Sequence, residues 1–191
     1  MKDQYHHGNL KNELIQVGIR LVTNEGIEKL SLRKTAALCN VSEAAPYKHF
    51  KNKKELLEAM QDYIKNELMV CLTRAVENSV DSESPDAILE MGKAYVNFFI
   101  EYPEYFTFLF SHTGLRINLT LMRDAENFMP YQYYRDKTYS VYLKMGFEKE
   151  RIKYGIISMW AKVHGIAAIS SMKNVVKDFE WEDVLDKILV E

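Results

Sequence analysis

The sequence predicts an all-α fold: an N-terminal helix-turn-helix module followed by a larger helical bundle, about nine helices in all. Three observations carry this expectation. Apolar residues recur with the 3.6-residue spacing of buried helix faces, and no strand-like alternation competes. Hairpin and loop signals are scarce, with eight glycines and four prolines among 191 residues. Helix-stop signals such as Gly26, Asn40, Pro103 and Gly146 fall between the periodic stretches.

The first helix is expected over Leu10–Asn24, with Leu10, Leu14, Val17 and Leu21 on one face. Asn9 is its expected N-cap and Gly26 its C′ glycine. A short second helix runs from the cap Ser31 to about Cys39, burying Leu32, Ala36 and Cys39. Asn40 suits a left-handed residue beyond its end. Val41 is expected to be buried in the turn, and Ser42 to cap a third short helix through Phe50. Pro46 lies just inside that helix, where its missing N–H costs little only if it falls in the first turn.

The fourth helix starts near Asn52 and carries Leu56, Leu57, Met60, Ile64, Leu68, Cys71 and Ala75, about 25 residues or ~37 Å. Residues 78–85 are polar, contain Ser-Pro and read as a linker. Helices then follow over Asp86–Tyr102, Glu104–Ser111, about Arg123–Met145 with Pro130 as a kink or break, Lys149–Met172 and Glu182–Val190. His112–Thr120 reads as irregular.

Charge is unevenly distributed. Residues 1–54 hold ten Lys/Arg and five Asp/Glu, whereas the remainder holds fifteen and twenty-two. A basic head on an acidic body is the footprint expected when one end meets a polyanion. The polar start and the lack of a long apolar run argue against a signal peptide or a membrane helix, so a cytoplasmic protein is expected. Cys39 and Cys71 read as ordinary buried thiols, and no Cys/His cluster suggests a metal. No nucleophile elbow, phosphate loop or paired acids point to an enzyme, and no cofactor is expected.

SLRKTAALC, NVS and EAAPYKHF make a helix, a turn and a second helix behind a longer packing helix, the helix-turn-helix layout. Ala36, Ala37, Ala44 and Ala45 permit close helix approach. Tyr47, His49, Lys51, Lys53 and Lys54 suit phosphate contact.

VSEAAPYKHFKNKKELL, with the upstream SLRKTAALCNVS, resembles the signature of the tetracycline-repressor (TetR/AcrR) family of one-component regulators, over about residues 9–60. The resemblance implies a homodimer binding double-stranded operator DNA. It places Tyr47, His49 and Lys53 at phosphates, and Arg33, Glu43, Ala44, Ala45 and Lys48 at base edges, with Ser42 at the start of the recognition segment. Asn40 stands where the family more usually has Gly. Glu43 leaves two readings open: acceptance of a hydrogen bond from a cytosine amino group, or support of a helix N-terminus. The YHHG segment reads as a flexible arm, with Lys2, His6, His7 and Lys11 as further candidates for DNA contact.

Seventeen of the 23 aromatic residues lie between Tyr95 and Trp160. They make either a plain core or a mostly apolar ligand site with a few polar tips. The candidate lining is Tyr95, Phe98, Phe99, Tyr102, Phe106, Phe128, Tyr131, Tyr134, Trp160 and His164. MWAKVHGIAAI resembles the Trp-His-Gly pattern of one C-terminal subgroup of the same family. It points to the helix of Trp160 as the dimer helix, with Ala161, Gly165 and Ala168 as a small-residue stripe. His164 remains either a satisfied core or interface histidine or a ligand contact.

The implied organisation is a DNA-binding domain over 1–52, a connecting helix over 53–77 and a dimerisation and ligand-sensing domain over 78–191. The expected function is a dimeric repressor tuned on its operator by a small-molecule effector. The alternative keeps the fold but acts through a protein partner.

Overall fold

The computed structural model describes residues 10–121 and 127–190. Among them are eight α-helices and no strand: α1 (Leu10–Glu25), α2 (Leu32–Leu38), α3 (Lys53–Glu77), α4 (Pro85–Glu101), α5 (Pro103–His112), α6 (Met129–Lys144), α7 (Lys149–Ser170) and α8 (Trp181–Val190). Short 3-10 turns lie at Ile27–Lys29 and Pro46–Lys48. Asn9, the expected cap of the first helix, lies outside the described residues, as do Lys2, His6 and His7.

The chain divides into two compact units, one of residues 1–64 and 107–114, the other of 65–106 and 115–191. In the first, α1 buries Leu14, Ile15, Gly18, Ile19, Leu21 and Val22. This face is rotated from the expected one, and Leu10 and Val17 are only half-buried. Gly18 explains the rotation, because a Cβ there would lie 3.0 Å from the Met60 sulfur. Along α3, every fourth residue is buried, from Leu56 through Met60, Ile64, Leu68 and Leu72 to Val76. Asn52 caps it, accepting a 3.0 Å hydrogen bond from the Glu55 amide, while the Glu55 carboxylate accepts one from the Lys51 amide. Both ends of the first helical turn are thereby satisfied.

In the second unit α4 packs on α6, α7 and α8. Gly92 sits where α4 meets its neighbours: a Cβ there would lie 3.3 Å from Val163 and 3.8 Å from Leu189. Ser84 caps α4 by accepting from the Ala87 amide, and Pro85 occupies the first helical position, where its missing N–H costs nothing. Pro130 also falls in a first turn, since α6 starts at Met129. The expected kink is therefore a helix start, and residues 122–126 lie outside the described set. Cys39 is buried, which pushes its thiol up to about 11. Cys71, expected to be buried, is only half so, and its thiol donates weakly to the Ala94 carbonyl.

Candidate nucleic-acid interface

The α2 helix begins with Ser31, whose side-chain oxygen accepts a 3.1 Å hydrogen bond from the Lys34 amide. It ends on Asn40 at φ 54°, the one non-glycine residue with positive φ among those described. The Asn40 amide donates to the Ala37 carbonyl and the Val41 amide to the Ala36 carbonyl. These two bonds make a Schellman closure, with Asn supplying the left-handed residue that is usually Gly. The turn that follows is therefore fixed in direction, although Val41 is half-buried rather than buried.

The segment after the turn departs from expectation. In place of a continuous helix from Ser42 to Phe50 there is a turn over Ser42–Ala45, closed by the Ala45 amide on the Ser42 carbonyl, and then the 3-10 turn Pro46–Lys48. The cause is Pro46. Lacking an N–H, it cannot donate to the Ser42 carbonyl, so the first α-helical bond of such a helix cannot form. Phe50 and Pro46 are buried and anchor the segment. Tyr47 is 55% exposed, so it is not core. Lys48, His49, Ser42, Glu43 and Ala44 are exposed as well, and Ala45 is half-buried. A basic and aromatic edge is thus presented to solvent between two buried anchors.

Five charged candidates already have partners. The Lys53 ammonium donates to the Ile27 carbonyl at 2.6 Å, leaving two of its three donors. Arg33 and Glu43 form a bidentate pair, with Nε 2.9 Å from Oε2 and Nη2 3.1 Å from Oε1. Lys51 and Lys54 lie 3.6 Å from Glu55 and Glu58, one turn along the chain. The Arg33–Glu43 pair was not legible in the sequence, because ten residues and a reversal of direction separate its members.

In the second unit the aromatic candidates come together as packed rings. Trp160 makes edge-on contacts with Tyr95 and Tyr131, lies 6.0 Å from Tyr134, and stacks on His164 at 5.5 Å and 22°. Phe99 and His164 both meet Phe106. Phe98, Tyr102 and Tyr105 form an adjoining group, and Phe128 is buried at the start of α6. Burial raises the Tyr95 hydroxyl well above its ordinary value and lowers His164. The Tyr95 hydroxyl and Nδ1 of His164 share a hydrogen bond at 2.9 Å. A cavity of about 400 Å³ lies elsewhere, lined by Leu121, Arg135, Asp136, Tyr139 and Lys149. Arg135 was not among the expected site residues; it is 1% exposed and pairs with Asp136 at 2.9 Å. On α7, a Cβ at Gly165 would meet nothing within 4 Å, Ala161 is exposed and Ala168 half-buried. Tyr154, Ile169 and Met172 are large apolar residues left exposed on or beside the same helix.

Residues 14–60 match the family of bacterial regulatory proteins of the tetR type. Over 75 residues the chain is 32% identical to the nucleoid occlusion factor SlmA of Vibrio cholerae, covering 39% of this chain and 38% of that protein. Over 71 residues it is 34% identical to the nicotine-responsive transcriptional repressor HdnoR of Paenarthrobacter nicotinovorans, 37% of each chain. The matches thus span less than two-fifths of these relatives' length. A solved tetR-family regulatory protein from Rhodococcus RHA1 superimposes with a TM-score of 0.68 at 15% identity, over 94% of this chain and 93% of that one. At that identity the likeness shows the fold.

Proposed function

We propose, from the match of residues 14–60 to the tetR family of bacterial regulatory proteins, that the chain is a homodimeric transcriptional repressor that binds operator DNA and is tuned by a small molecule. The observation that carries the proposal is the coincidence of that match with the exposed edge of Tyr47, Lys48 and His49 behind the Schellman turn. Tyr47, His49 and Lys53 contact phosphates, and Arg33, Glu43, Ala44, Ala45 and Lys48 face the bases, with Ser42 leading the segment into the groove. The small-residue stripe of α7 with Ala161, Gly165 and Ala168 pairs with its copy in the dimer. The aromatic cluster around Trp160 opens around the effector. Because α3 contributes residues to both units, a change in the second has a continuous helix along which to reach the first. By linkage, an effector that weakens operator binding is itself bound more weakly by the DNA-bound dimer, by the same factor.

A second reading, action through a protein partner, is favoured by one observation: relatives named nucleoid occlusion factors are among those matched. A gel-shift titration on the DNA upstream of the chain's own gene separates the two. Operator binding predicts a discrete shifted band that resists excess unrelated DNA. A protein that shifts the upstream and unrelated DNA alike contradicts the first reading and favours the second.

A further inference from the structure

Exposed ion pairs usually add little to folding stability, and a bidentate Arg–carboxylate pair is set apart from them by its fixed geometry. Arg33 sits in the first turn of α2 and Glu43 in the turn that follows it, and their side chains are 69% and 66% exposed. The pair is side-on: Glu43 takes the Nε edge of the guanidinium, through Nε and Nη2. A guanidinium has five N–H donors. Side-on pairing uses two of them and leaves the end-on edge, Nη1 with the second proton of Nη2. That edge matches the O6 and N7 acceptors of guanine in the major groove. Both ends of the pair are held: Arg33 by the Ser31-capped helix start, Glu43 by the Schellman closure and by the Ser42–Ala45 turn.

Resting on the DNA-binding reading, we propose that Glu43 is a positioning residue that fixes Arg33 to read one guanine in each half-site. Both carboxylate oxygens of Glu43 accept from Arg33, so its first role is to hold the guanidinium. Pairing also neutralises a carboxylate that would otherwise repel the phosphate backbone. An arginine held by its carboxylate partner in the free protein loses less rotamer freedom on reaching a base.

The test is selection from random duplex DNA by the full-length protein, for wild type, Arg33→Ala, Glu43→Ala and Glu43→Gln. The wild type should select a guanine at one position of each half-site. Arg33→Ala should lose that preference, by about five-fold to one-hundred-fold, and no other. Glu43→Ala and Glu43→Gln should weaken the preference at that same position, with thermal melting unchanged. Replacing the guanine with 7-deazaguanine, which lacks the N7 acceptor, should lower wild-type affinity and leave Arg33→Ala unaffected. Glu43→Ala changing a different position, or raising affinity for all sequences equally, overturns the positioning role. Enrichment of no sequence by the wild type overturns the DNA-binding reading itself, and is distinguishable because no motif then exists to compare.

Discussion

The Tyr95 hydroxyl lies 2.9 Å from Nδ1 of His164, sixty-nine residues further along the chain, and joins α4 to α7 inside the aromatic cluster. Burial lowers the His164 pKa from its ordinary 6.5, so the native protein resists taking up a proton that the unfolded chain accepts. The unfolded state therefore binds more protons below pH 6.5, and this group's contribution, present above that value, is lost as pH falls toward the lowered native pKa. Urea unfolding from pH 8 to pH 5 should show stability falling with acid. The double variant Tyr95→Phe/His164→Leu should show a shallower fall, by up to one proton in slope. Equal slopes would contradict the neutral, hydrogen-bonded histidine.

The turn before the DNA-facing edge rests on Asn40 at positive φ. Asn40→Val should cost about 1–2 kcal/mol, because a branched side chain suffers most in the left-handed region. Asn40→Gly should be neutral or slightly stabilising. Thermal melting checks the order, and a Val variant as stable as the wild type would mean that the turn is not held in this form.

Helix ends were the most legible part of the fold. Gly26, Ser31, Asn40 and Gly146 act on backbone groups within a few residues, so local chemistry determines them. Helix faces were less legible. On α1 the predicted stripe was rotated because the buried direction depends on where Met60 of α3 meets Gly18, which no local pattern carries. The segment at Pro46 was misread as a helix because its flanking residues favour one, while the missing N–H acts on the Ser42 carbonyl four residues earlier. The aromatic cluster was visible as composition, but its close ring packing and the Tyr95–His164 bond depend on tertiary contacts. Both the Arg33–Glu43 pair and the burial of Arg135 were invisible for the same reason.

A Cβ at Gly165 meets nothing within 4 Å in the single chain. Gly165→Leu should therefore leave the subunit folded, at most gaining about 1 kcal/mol from replacing a mid-helix glycine, while separating the dimer. Light scattering should give the mass of one chain for the variant and of two for the wild type. A variant that stays fully dimeric would place the interface on another face.

Lys53 combines a hydrogen bond to the Ile27 carbonyl with two donors still available for phosphate. Lys53→Ala should weaken binding to all DNA sequences alike and reduce the log–log salt slope by about one unit. An unchanged salt slope would confine Lys53 to holding the start of α3 against the Ile27 carbonyl.

Sequence reading by the tetR-type module is tested by a ratio of affinities. Fluorescence anisotropy at 0.15 M salt should compare the duplex upstream of the chain's gene with a scrambled duplex of equal length and composition. The account predicts binding to the upstream DNA at least about a thousand-fold tighter, the lower end for specific regulators. Equal affinities for the two duplexes, with matching salt slopes, would leave only charge attraction and would contradict it.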